Sequence, residues 1–209
     1  MVRVKICGIT NAADALAAID AGANLIGFNF YEESPRHITP AQAAEIRSEL
    51  PKRVKAVGIF VNHLPADIIA LRSSLNLDAV QLHGDEPPEA VAQIAPAVPV
   101  IKAFRVEPEF PLSLLDDYPQ AFAFLFDAAH TGQYGGTGRT TDWDAARRAA
   151  QTRRIILAGG LKVENVAAAI RIVRPYGIDV ASGVESKPGK KDWGLLRKFV
   201  QEVRRAERK

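Results

Sequence analysis

Cysteine is almost missing from this chain: one in 209 residues, alongside one methionine and an aromatic content of only 7%. A lone cysteine cannot close an intramolecular disulfide and cannot build a multi-thiolate metal site. No run of roughly 18 apolar residues is present, so no helix predicted from the sequence spans a membrane. The start lacks the apolar stretch of a secretory signal, and with a single thiol this leads us to expect a cytoplasmic protein. Low-complexity segments are absent. Charge of one sign is scarce too, with a formal net charge of +3. Much of that surplus sits in Arg197-Lys198 and in 204–209. Such a tail is either a nucleic-acid arm or the solvated face of a helix. Leu195, Leu196, Phe199, Val200 and Val203 recur at helical spacing, as a docked terminal helix requires. No aromatic platform or recognition motif accompanies the basic residues, so no nucleic-acid partner is expected.

Hydrophobic residues make up 47% and charged residues 24%, enough to build a globular core. Along the chain, short Val-, Ile- and Phe-rich runs alternate with Ala-rich segments of helical periodicity. The runs predict buried parallel strands near 3–7, 24–30, 54–60, 78–82, 98–103, 121–126, 153–158 and 177–181. Helices are predicted over 11–21, 40–50, 65–75, 87–95, 142–151, 162–173 and 192–207. Start signals support them: Asn11 with Asp14 three residues on, Pro40, Pro65, and Asp142 before Trp143. Gly22 supplies a stop. The fifth helix, within 107–119, carries Pro108, Pro111 and Pro119 and is expected to be short or irregular. Eight strand–helix units without a linker or composition break predict an α/β fold: a single (β/α)8 TIM barrel domain over 1–209. Its eight parallel strands would be ringed by outer helices. A doubly wound open sheet is the alternative, and closure distinguishes the two.

Barrel active sites lie at the C-terminal ends of the strands. Cys7 and Gly8 follow the first strand. Arg36 lies in the loop after the second. Gln81 and His83 share one face at the end of the fourth, and Asp127 closes the apolar sixth. Gly159-Gly160 and Ser182-Gly183 follow the seventh and eighth. Small residues there free backbone N–H groups for an anion, and a phosphate group is the expected occupant. Tight turns without a ligand are the alternative for each pair.

Strand parity puts Lys5 and Cys7 on one face. A neighbouring ammonium favours thiolate over thiol. Cys7 is therefore either an inert buried residue or a reactive thiol. Asp127 is either a turn cap or a carboxyl at a partly dry mouth, where burial suits it to acid chemistry. Strands one and six lie on different sides of a barrel, so Cys7 and Asp127 should face each other across the opening. His83 is either a packed structural histidine or a substrate contact. Asp179 either pairs with Lys5 across the seam between strands eight and one or orients the phosphate loop. The glycine-rich stretch 128–141 reads as a lid or a flexible connection. Its Gly135-Gly136-Thr137-Gly138 fits neither the Walker nor the dinucleotide pattern.

Lys5-Ile6-Cys7-Gly8-Ile9-Thr10, Ser34-Pro35-Arg36, Val80-Gln81-Leu82-His83-Gly84, Gly135-Gly136-Thr137-Gly138, Leu157-Ala158-Gly159-Gly160-Leu161 and Ser182-Gly183-Val184-Glu185 stand in this order from residue 3 to about residue 200. Together they resemble the phosphoribosylanthranilate isomerases of tryptophan biosynthesis. The resemblance implies an Amadori rearrangement of N-(5-phosphoribosyl)anthranilate to 1-(o-carboxyphenylamino)-1-deoxyribulose 5-phosphate. It implies Cys7 as general base, Asp127 as general acid and Arg36 as the group that holds the anthranilate carboxylate. No metal or cofactor is implied, because the substrate's own iminium nitrogen is the electron sink. The expected partner is a small phosphosugar, and the expected state a monomer or homodimer.

Two other readings stay in view. One is a related phosphosugar barrel, such as the histidine-pathway isomerase or indoleglycerol-phosphate synthase. The histidine-pathway enzyme carries an aspartate where Cys7 stands. The other is a non-catalytic barrel serving as a ligand sensor, against which the set of Cys7, Arg36 and Asp127 on three separate loops argues.

Overall fold

Strand β1 (Arg3–Cys7) opens the fold with four of its five residues apolar or inward-facing, and helix α1 (Ala12–Ala21) follows. Asn11 caps that helix by accepting from the Asp14 amide, and Gly22 ends it at φ 108° in the left-handed region. The pattern then repeats through β2 (Leu25–Asn29), α2 (Pro40–Glu49), β3 (Lys55–Phe60), α3 (Pro65–Leu75), β4 (Ala79–Leu82) and α4 (Pro88–Ile94). It continues with β5 (Val100–Val106), β6 (Ala123–Ala128), α5 (Trp143–Ala149), β7 (Ile155–Leu157), α6 (Val166–Val173) and β8 (Gly177–Val180). A hairpin of β9 (Glu185–Lys187) and β10 (Lys190–Lys191) precedes the last helix, α7 (Trp193–Glu207). The computed structural model describes residues 1–107, 109–128 and 142–208. The stretch singled out above as a lid or flexible connection falls, from residue 129 to residue 141, outside the described residues.

Strands β1 to β8 close into a parallel barrel in sequence order, with β1 hydrogen-bonded to both β2 and β8. Closure rules out the open sheet. The barrel interior packs Val57, Ala79, Ile101, Ala103, Ala123, Leu125, Ile156 and Ala158. Residues of opposite parity, such as Val4, Ile26, Phe28, Val80 and Phe126, pack outward beneath the helices. Each such buried side chain contributes about 1.5–3 kcal/mol by leaving water.

The fifth connection holds a 3-10 turn, Leu112–Asp117, where the prolines predict irregularity. Strands β5 and β6 reach further than the sequence suggests, so Asp127 lies inside β6, paired in register with Arg105. Helix α6 starts four residues late. The Asn165 side chain accepts from the Lys162 amide and holds 162–165 as a turn. The β9–β10 hairpin was not foreseen, because charged residues and a proline mask its strand character. Helix α7 docks through Leu196, Phe199, Val200, Val203 and Ala206. Arg204 from its polar face is tied down to Val2 O and Glu207. Among the described residues, no helix is long and apolar enough to cross a membrane.

Candidate active site

At the C-terminal end of the barrel, Cys7, Arg36, His83, Asp127, Gly159, Gly160, Asp179 and Ser182 line one cavity. Six strands, through their C-terminal ends or the loops that follow, deliver these groups to one place.

Cys7 ends β1 and is partly exposed to the cavity. Lys5, two residues earlier, points the same way but is fully buried in the barrel. Its Nζ donates to Asp179 Oδ2 at 2.8 Å, across the β1–β8 seam. Burial alone would disfavour the ammonium, but Asp179 and Cys7 outweigh it and hold Lys5 above its ordinary pKa. Burial also pushes the Cys7 thiol up, and Asp179 adds to this; Lys5 and Lys191 pull the other way and lose. Lys5 does favour the thiolate, as the sequence suggests, but burial and Asp179 outweigh it. Asp179 takes the Lys5 ammonium at 2.8 Å and so offsets its pull on the thiol. Lys5 supports the site from below and does not line the cavity.

Gly8 has φ +70°, and a Cβ there would lie 2.5 Å from Arg36 Cδ. Glycine lets the arginine stem cross the end of β1. The Arg36 loop is shaped by Asn29, whose side chain donates to Ser34 Oγ and accepts from the Tyr31 amide. Ser34 Oγ in turn accepts from the Arg36 amide. Glu185 takes the guanidinium through Nε and Nη2. Burial would raise the Glu185 carboxyl, but Arg36 and Lys191 hold it below its ordinary value. Lys191, buried on β10, gives its Nζ to Glu185 Oε1 at 2.8 Å, Cys7 O at 2.6 Å and Ala181 O at 3.3 Å. Glu185 and Lys191 are absent from the sequence-derived site. Glu185 stands in a quoted motif, but no local signal ties it to a partner 149 residues away.

Of the four residues expected to cradle a phosphate, Gly159, Gly160 and Ser182 line the cavity. Gly159 and Gly160 take φ of +79° and +60°, a region glycine favours. Among the described residues, no backbone carbonyl accepts from either amide. Asn165 pins the loop by donating to Gly160 O at 2.9 Å. Opposite it, the 3-10 turn Ser182–Val184 follows β8. Ser182 lines the cavity. Gly183 packs against the β7 loop instead, where a Cβ would meet Leu161 O at 1.9 Å. Its place is to let the two loops touch, so the cradle surface itself is Gly159, Gly160 and Ser182.

Asp127 Oδ1 accepts from the Ala128 amide, and Oδ2 lies 3.3 Å from His83 Nε2. His83 thus sits against the carboxyl, with its other ring nitrogen turned into the barrel.

The arrangement offers a thiol, a carboxyl with a histidine neighbour, a clamped guanidinium and a small-residue anion cradle around one space. The family model for N-(5'-phosphoribosyl)anthranilate isomerase matches residues 4–202. The isomerase of Pelobacter propionicus is 51% identical over 201 residues, covering 96% of this chain and 95% of that protein. The crystal structure of phosphoribosyl anthranilate isomerase from Thermotoga maritima superposes with a TM-score of 0.91 at 43% identity, covering 98% of this chain and 99% of that one. A phosphoribosyl anthranilate isomerase in complex with reduced 1-(o-carboxyphenylamino)-1-deoxyribulose 5-phosphate superposes with a TM-score of 0.88 at 42% identity, over the same shares of the two chains. Barrel, residues and relatives agree: the chain belongs to the N-(5'-phosphoribosyl)anthranilate isomerase family.

Proposed function

We propose that the chain isomerises N-(5'-phosphoribosyl)anthranilate to 1-(o-carboxyphenylamino)-1-deoxyribulose 5-phosphate, with Asp127 as general acid and Cys7 as general base. The observation that carries this reading is that Cys7 and Asp127 line the same cavity as the anion cradle. The protonated Asp127 carboxyl gives its proton to the ribose ring oxygen. The C1–O bond breaks, and the nitrogen lone pair forms the C1=N bond of an iminium. Cys7, as thiolate, takes the proton from C2, and the C2–H electrons move into C1=C2 while the iminium nitrogen recovers its lone pair. The resulting enolamine tautomerises to the ketone. The iminium nitrogen is the electron sink, so the chemistry calls for no redox or metal cofactor.

A thiol raised by burial is a poor base in the free enzyme. The substrate supplies what is missing. Ring opening places a positive iminium in a partly desolvated cavity, where it favours the neighbouring thiolate. Cys7 releases its proton to solvent before it acts, and the iminium then holds that thiolate in place to take the proton from C2.

The anthranilate carboxylate goes to Arg36. Its Nε and Nη2 are taken by Glu185, and among the described residues none accepts from Nη1, which is left for the substrate. The 5'-phosphate goes to Gly159, Gly160 and Ser182, with Gly183 behind them. A reduced thiol at the centre suits the cytoplasm. All these groups come from one chain, so monomer and homodimer are equally workable.

The test follows substrate fluorescence. Purified protein in chelator should consume N-(5'-phosphoribosyl)anthranilate and yield the deoxyribulose product by mass and retention time. Unchanged substrate would overturn the proposal. Turnover of a phosphoribosyl substrate without the aryl carboxylate, at an equal rate, would reassign the specificity.

A further inference from the structure

We infer that Gln81 is a positioning residue for the acid, acting through His83. The inference rests on Asp127 being that acid. Gln81 lies on β4 with its side chain fully buried in the barrel, flanked in register by Ile59 and Ile101. An amide between two isoleucines is costly unless its polar atoms are matched, and a methionine of similar length would avoid that cost. Its Nε2 is matched: it lies 2.7 Å from His83 Nδ1. Its Oε1 is buried without a hydrogen-bond partner among the described residues. The fold therefore keeps an amide here for one contact, and that contact is with His83.

The consequence reaches Asp127. An amide N–H at Nδ1 meets a lone pair there, so the neutral ring carries its proton on Nε2. Nε2 is the nitrogen 3.3 Å from Asp127 Oδ2. His83 Nε2 is buried and has no hydrogen-bond partner among the described residues, so when Asp127 gives its proton to the ring oxygen a small turn of the imidazole brings Nε2–H onto the new carboxylate 3.3 Å away. Other charged or titratable groups around the carboxyl are Arg105 on the neighbouring β5, held to Asp85, and Cys7, Arg36 and Asp179 on the cavity wall. None of them meets Nδ1. Gln81 and His83 share a face two residues apart, so the pair is local and needs no long-range closure to form.

The experiment combines kinetics with histidine nitrogen NMR on the whole enzyme. Wild-type protein labelled at the histidine nitrogens should show His83 as the Nε2–H tautomer. Gln81→Met should lower kcat about tenfold, a modest share of a general acid's contribution, with KM held within about twofold. The tautomer signature should broaden or change in that variant. On a His83→Ala background, Gln81→Met should cause no further loss. An Nδ1–H tautomer in the wild type overturns the inference, even if Gln81→Met fails to fold. So does a Gln81→Met enzyme with wild-type kcat, or an equal loss on both backgrounds. Asp127→Asn separates the two assignments. If it keeps full turnover, the acid is misassigned; if it is inactive while Gln81→Met is normal, only the role of Gln81 falls.

Discussion

Glu185 grips Arg36 in a forked pair: Nε lies 2.9 and 3.2 Å from its two carboxylate oxygens, and Nη2 lies 2.7 Å from Oε2. The same carboxylate meets Lys191 at 2.8 Å, and Lys191 continues to the carbonyl of Cys7. One buried acid thus ties the arginine to the strand end that carries the thiol. Removing it as Glu185→Ala leaves the buried Lys191 and the partly exposed Arg36 without their shared partner. We expect a loss of about 3–5 kcal/mol in stability by denaturant unfolding. In folded Glu185→Gln, KM should rise more than kcat falls. A KM unchanged in that variant would detach Glu185 from substrate binding.

Arg36→Ala should weaken binding of the aryl carboxylate by about 1.5–3 kcal/mol, read as roughly a ten- to hundredfold rise in KM. A normal KM would show that another group holds the carboxylate.

Cys7 sets the alkaline behaviour. The base must be ionised to act, and burial raises this thiol above its ordinary value. The rising limb of kcat/KM should therefore lie alkaline of about pH 8.5, the free-thiol value. A curve already flat at neutral pH would contradict this. The same raised pKa makes folded Cys7 prefer its proton, so its contribution to stability is complete below the unfolded thiol pKa and is lost as pH rises through the folded one. Cys7→Ser should cost at least about a hundredfold in kcat, because a hydroxyl is a poorer base. Near-normal turnover would reassign the base.

Asp127→Asn removes the proton donor and keeps the shape. We expect a loss of about 10²–10⁴ in kcat. Thermal unfolding should stay within a few degrees. Unchanged turnover would make His83 the next candidate for the acid.

Gly183→Ala drives a methyl into Leu161 O, a backbone atom that cannot move without the β7 loop. Overpacking of this kind costs about 1–3 kcal/mol. The distortion should fall on the cradle, so inorganic phosphate should inhibit the variant less than the wild type. Equal inhibition constants would place the phosphate elsewhere.

Much of the fold was legible because its signals are local. Buried parallel strands leave continuous apolar runs such as Ala121 to Phe126, and caps such as Asn11 and Gly22 act within a few residues. Prolines 108, 111 and 119 likewise pointed to a short or irregular fifth helix, and a 3-10 turn stands at Leu112–Asp117. The hairpin at 185–191 escaped because its strand residues are mostly charged, and its reason for existing is the site it leans on.

By itself the sequence determined which residues share a face. The two-residue period of a strand puts Lys5 with Cys7 and Gln81 with His83 before any barrel exists. It also determined that Gly159-Gly160 and Ser182-Gly183 follow β7 and β8. Tertiary structure decided who meets whom across the closure. Asp179 reaches Lys5 only because β8 pairs with β1, and Glu185 reaches Arg36 only because the hairpin folds back over that seam. The upward shift of the Cys7 thiol comes first from burial and then from Asp179, which the β8–β1 pairing brings close. Electrostatic balance in a buried site depends on distances between segments far apart in the chain, and no local pattern encodes them.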